Sequence, residues 1–71
     1  MDKYIEVITL LAELAGEYGD NTYSVTYCAL GYIPFKNGEN KVNEVGTKFV
    51  DVARWLIDES ENNFNASLYS K

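Results

Sequence analysis

The chain has 71 residues, no histidine, a single cysteine (Cys28) and a formal net charge of -5. A single domain of this size buries only about 60% of the surface its unfolded chain exposes, and one thiol cannot close an internal disulfide. The missing imidazoles remove the commonest general base and metal ligand near neutral pH, and the lone thiol leaves few nucleophilic dyads. Catalysis, a metal centre and a cofactor are therefore not expected, and self-association remains the available route to extra stability.

The opening residues Met1-Asp2-Lys3-Tyr4, with Glu6 close behind, lack the basic start and long apolar core of a secretory signal. No run approaches the roughly 20 apolar residues of a membrane span. A cytoplasmic protein with Cys28 reduced is expected. From Asp2 to about Tyr18, apolar residues recur at helical spacing: Tyr4, Ile8, Leu11, Ala15 and Tyr18, with Val7 and Leu14 beside them. Gly19-Asp20-Asn21 supplies a glycine C-cap and turn residues, and Gly16 marks an alternative, earlier stop.

Two readings exist for the stretch from Thr22 to Tyr32. Thr22 to Tyr27 is rich in strand-favouring residues and alternates, with Tyr23, Val25 and Tyr27 on one side and Ser24 and Thr26 on the other. A short helix would instead align Tyr23, Tyr27 and Leu30. Composition favours the strand. Asn37-Gly38 is a type I′ hairpin signal that would pair Ile33 with Val42, leaving Pro34 on an edge strand.

A second helix is expected from about Asn43 to Asn62. Asn43 would be its N-cap, Glu44 would lie in its first turn, and Val45, Phe49, Val52, Ala53 and Leu56 would form its apolar stripe. The polar end, residues 63–71, is expected to fray. Together these elements predict one small α+β domain over residues 1–71: an N-terminal helix, a central β-hairpin or strands, and a C-terminal helix. The alternative is an all-α three-helix fold.

The carboxylates fall into stripes. Asp2, Glu6, Glu13 and Glu17 share one face of the first helix; Glu44, Asp51 and Asp58 repeat every seven residues on the second, near Glu61. Either stripe alone is the ordinary solvated face of an amphipathic helix. Two together, with only six scattered Lys and Arg residues, point to a surface resembling the charge of a nucleic-acid backbone, Glu6, Glu13, Glu17, Asp51 and Asp58 being its chief candidates. A sequence pI near 4.4 argues against direct binding to nucleic acid or anionic membrane and for a basic protein partner. Of the six tyrosines, Tyr4 and Tyr18 are expected in the core, while Tyr23, Tyr27 and Tyr32, with Phe35, are candidate partner contacts. Trp55 and Cys28 read as core residues.

The apolar arcs of both helices extend beyond what a small sheet can cover, which makes Leu10, Val50 and Ile57 candidates for self-association. In general type (short, acidic, rich in Tyr and Asn) the chain resembles small phage or mobile-element accessory proteins, many of which inhibit host machinery, anti-CRISPR proteins among them. The resemblance is one of composition and covers no motif. Two functions follow as expectations. One is a non-catalytic inhibitor or adaptor whose acidic surface engages a basic protein of nucleic-acid-handling machinery. The other is a self-assembling homodimeric structural or regulatory subunit.

Overall fold

The computed structural model describes residues 3–69. Its elements are α1 (Lys3–Ala15), β1 (Tyr23–Cys28), β2 (Gly31–Lys36), β3 (Glu39–Asn40), α2 (Val42–Val45) and α3 (Phe49–Tyr69). The α+β expectation holds, and the three-helix alternative does not: residues 23–28 and 31–36 pair as antiparallel strands. The strand-favouring run wins over the helical alignment because Tyr23, Val25 and Tyr27 share one side, Val25 and Tyr27 pairing with Pro34 and Tyr32.

The sheet has the order β1-β2-β3. Asn37 and Gly38, at φ +55° and +80°, form the expected type I′ turn between β2 and β3. Pairing stops earlier than expected, however. Lys36 faces Glu39 and Phe35 faces Asn40, the Lys41 N–H donates to the Pro34 carbonyl (2.9 Å), and Val42 then opens α2 instead of pairing with Ile33. Pro34 lies in the central strand, not on an edge. Its missing N–H is on the β3 side, since its carbonyl bonds Lys41, so the ladder loses a donor where the chain leaves it.

The helix expected over 43–62 is broken in two. Gly46 adopts φ +97°, which ends α2, and the following Thr47 carbonyl accepts the Tyr32 N–H (2.9 Å). Asn43 is an exposed residue inside α2; the Asn40 side chain, not Asn43, receives the Val42 N–H (2.8 Å). Gly31 makes the docking of this segment possible. Its φ is +119°, and a Cβ there would meet the Thr47 carbonyl oxygen at 2.6 Å.

α1 ends at Ala15, the earlier of the two stops. Tyr4 packs edge-on against Phe49 (4.9 Å between centroids) and Tyr18 against Phe64 (5.1 Å), so α1 and α3 run parallel, side by side. α1 lies over β1 and α3 over β2, forming one helical layer on one face of the sheet. Between the layers sit Ile8, Ala12 and Ala15 from α1, Val52 and Leu56 from α3, and Tyr32 and Pro34 from β2. No helix among the described residues is long and apolar enough to cross a membrane.

The polar end, where fraying is expected, is helical as far as Tyr69; residues 70 and 71 lie outside the described range, as does Asp2 of the first acidic stripe. The physical reason is Asn63. Its amide donates to the carbonyl of Ala15 (2.9 Å) and to the Tyr23 hydroxyl (2.9 Å), and its oxygen accepts from Asn21 (3.1 Å). With Phe64 on Tyr18, these contacts tie α3 to the end of α1.

Candidate protein-binding surface

Side chains advance about 100° per residue around an α-helix, which fixes where each stripe of α1 and α3 points. On α3, Phe49, Ala53 and Phe64 lie towards α1, and Val50 and Ile57 sit just above them on the outward side. On α1, Tyr4 and Leu11 lie towards α3, with Val7 and Leu14 above. The two helices therefore share an apolar seam on the outer surface of their layer. Val50 is 62% exposed, while Val7, Leu14, Ile57 and Phe64 each expose more than two-fifths of their surface. A shallow groove lined by Phe49, Val50, Ala53, Arg54 and Ile57 runs along it. Leu10, 63% exposed, stands on the crest of α1, across Val7 and Leu14 from α3.

The carboxylates do not merge into one acidic face. Glu6 and Glu13 occupy the flank of α1 away from α3, and Glu17 follows in the turn beyond the helix. Asp51 and Asp58 occupy the flank of α3 away from α1. There, with Glu44, Arg54 and Trp55, they line an open cleft of about 220 Å³. All five acidic candidates are exposed. The result is an apolar strip with acid on both outer sides, not a continuous charged surface.

The aromatic candidates separate as well. Tyr32 is 8% exposed and packs against Phe49 (5.6 Å) and Tyr27 (4.8 Å). Tyr27 is exposed at the end of β1, and Phe35 is half-buried on the sheet face away from the helices. Tyr23 is held edge-on to Trp55 (5.7 Å), which rests against the core. Cys28, expected in the core, is exposed, because its position in β1 points away from the helices.

Sequence reasoning missed the polar cluster beneath α3. The Tyr23 hydroxyl donates to Glu59 Oε1 (2.8 Å), the Lys36 Nζ lies 2.7 Å from the same oxygen, and Asn63 donates to the hydroxyl. Burial pushes the Glu59 carboxyl up, but its hydrogen bonds with Lys36 and Tyr23 outweigh this and hold it below the ordinary value. The hydrogen bond to Glu59 holds Lys36 above its ordinary value despite desolvation. Burial, with Glu59 beside it, raises the Tyr23 phenol against the opposing Asn63 amide. The signal was present in the sequence: Val52, Leu56, Glu59 and Asn63 share one helical face, so two polar residues occupy core-facing positions and require partners. This cluster joins helices to sheet, and among the described residues no buried side-chain nitrogen or oxygen is left without a partner, which makes it a structural element.

Among the described residues, no group of three or more Cys, Asp or Glu side chains is placed to hold a metal ion. No protein-family model, curated protein or solved structure matches the chain.

Proposed function

We propose that this chain is a non-catalytic protein-binding module, an inhibitor or adaptor, whose partner is a basic protein of nucleic-acid-handling machinery. The contact surface is the outer face of the helical layer. The observation that carries this reading is the apolar seam of Val7, Leu14, Val50, Ile57 and Phe64 between two acidic flanks. Protein interfaces combine an apolar centre with a polar rim, and a contiguous exposed apolar face on a small domain marks a contact surface. The acidic rims select for a cationic partner by accelerating encounter and repelling anionic surfaces. The same net charge of -5 opposes close approach of a second copy through this face. A cytoplasmic setting and a phage or mobile-element accessory role, such as anti-CRISPR inhibition, are consistent with this reading.

The test uses a short amphipathic helical peptide of leucine and lysine as a stand-in for the partner, with a leucine–glutamate peptide of the same pattern as control. Only the lysine peptide should bind by fluorescence anisotropy, and its affinity should fall as salt rises from about 50 to about 300 mM. Val50→Lys with Ile57→Lys should reduce the affinity at least about tenfold, the equivalent of about 1.4 kcal/mol. Reversal of Asp51 and Asp58 to Lys should weaken binding chiefly at low salt. Equal binding of both peptides, or indifference to the seam variants, would overturn the reading. Dimerisation through Leu10, Val50 and Ile57 in sedimentation, blocking the peptide, would replace it with the homodimeric subunit.

A further inference from the structure

The two edges of the sheet are built differently. β3 is two residues long, carries Glu39, and gives way to α2 where Pro34 offers no donor. β1 is six residues long, Tyr23 to Cys28, with no charged residue and no proline. Its ladder to β2 runs in unbroken register from Tyr23–Lys36 to Cys28–Gly31. Short strands, charges, proline and bulges are the devices that keep sheet edges from pairing with other chains. β3 has the first two; β1 has none of the four.

The hydrogen-bonding direction of β1 follows from the register. The Asn37 N–H donates to the Thr22 carbonyl (2.8 Å), so by alternation Ser24, Thr26 and Cys28 turn their backbone groups towards β2. Tyr23, Val25 and Tyr27 turn theirs outward. The opposite sense at β2 agrees: Tyr32 and Pro34 bond Thr47 and Lys41 on the far side. Among the described residues no strand pairs with the outward groups of β1.

A second feature lies above this edge. α1 covers β1, and its flank away from α3 overhangs the open side of the sheet. That flank holds a groove of about 380 Å³ lined by Ile5, Glu6, Thr9 and Leu10, with Glu13 two turns further along the same side. A strand added beside β1 would send alternate side chains up towards this groove, where apolar groups meet Ile5 and Leu10 and basic groups meet Glu6 and Glu13.

We propose that the outward edge of β1 accepts an extended segment of a basic partner protein as a fourth, edge-added strand, with apolar and basic side chains on its helix-facing side. The inference rests on the reading of this chain as a partner-binding module and adds a second contact of a different kind. Main-chain pairing supplies affinity and the groove supplies selection. A second copy is the poorer occupant, because it would bring its own Glu6 and Glu13 towards the first pair and join two chains of charge -5.

The experiment uses the full chain and a short extended peptide of repeating Val-Thr-Lys-Thr, which puts valine and lysine in turn on one face, with the same peptide N-methylated at every residue so that neither edge can donate. Amide exchange is followed by NMR. The unmodified peptide should slow exchange at Tyr23, Val25 and Tyr27 by at least about tenfold, and the N-methylated peptide should not. Glu6→Lys with Glu13→Lys should weaken the effect severalfold, while Asn62→Ala, at an exposed position on α3, should leave it unchanged. Equal binding of the N-methylated peptide, protection elsewhere, or no protection would overturn the inference. So would protection of these amides by dimerisation without peptide. The helical leucine–lysine peptide, measured in parallel, separates the two claims: its binding with no response to the extended peptide refutes the edge alone.

Discussion

Replacing Asn63 by Ala removes three hydrogen bonds at once: the donations to Ala15 O (2.9 Å) and to the Tyr23 hydroxyl (2.9 Å), and the acceptance from Asn21 (3.1 Å). Each such bond contributes roughly 0.5–1.5 kcal/mol net, and all three are only partly buried, so the low half of that range applies. The sum is about 2 kcal/mol. The loss extends further, because among the described residues the Ala15 carbonyl at the end of α1 has no partner to replace the amide, and the Tyr23 hydroxyl loses its bond from Asn63 and keeps that to Glu59. In a domain of this size 1 kcal/mol moves Tm by about 4–8 °C, so Asn63→Ala should melt about 8–16 °C lower by circular dichroism. Asn62→Ala, one residue away on an exposed face, is the control and should stay within about 0.5 kcal/mol of the parent. Amide exchange should also quicken from Phe64 to Tyr69, since Asn63 anchors that end. A melting temperature within about 2 °C of the parent would refute the idea that this side chain holds α3 to α1 and β1.

Gly31→Ala should cost more than Gly38→Ala, although both residues have positive φ. Both carry a backbone penalty of about 1–2 kcal/mol, but only at Gly31 would the new Cβ meet the Thr47 carbonyl at 2.6 Å, while at Gly38 nothing lies within 4 Å; equal losses in denaturant unfolding would contradict this. The Glu59 carboxyl is held below its ordinary value near 4.5, so its contribution to stability is full above that value and is lost as the pH falls through the lower folded-state value. Glu59→Gln should therefore flatten the acid limb of a plot of Tm against pH, and parallel limbs would count against the cluster. Tyr23 and Lys36 are raised, so their contributions are full below about 10.0 and 10.5 and are lost as the pH rises further. Leu56→Ala, at a fully buried position between both layers, should cost about 2–5 kcal/mol.

The element types were legible because each rests on a local rule. The period of Tyr4, Ile8, Leu11 and Ala15 gives α1, the alternation from Tyr23 to Tyr27 gives β1, and Asn37-Gly38 gives the turn. The errors arise where a tertiary contact overrides the local pattern. Val45 and Phe49 continue the stripe of α3, so nothing in the period foretells the break at Gly46; the break depends on Thr47 reaching Tyr32 across the sheet. The end of α3 is polar and taken alone reads as a segment that frays, because the three partners of Asn63 come from α1, β1 and the loop between them. At the candidate surface, the sequence places Glu6, Glu13, Asp51 and Asp58 on exposed stripes, as found. Only the parallel side-by-side packing of α1 and α3 reveals that those stripes turn to opposite flanks with the apolar seam between them.

The most direct test of the account is a residue-by-residue map of contact on the folded chain. With the protein labelled for NMR and titrated with the leucine–lysine helical peptide, the account predicts amide shift changes concentrated at Val7, Leu14, Val50, Ile57 and Phe64. Smaller changes should reach Asp51 and Asp58 on the α3 flank. Shifts centred instead on Thr26, Ile33 and Phe35, the sheet face away from the helices, with the seam unmoved, would contradict it.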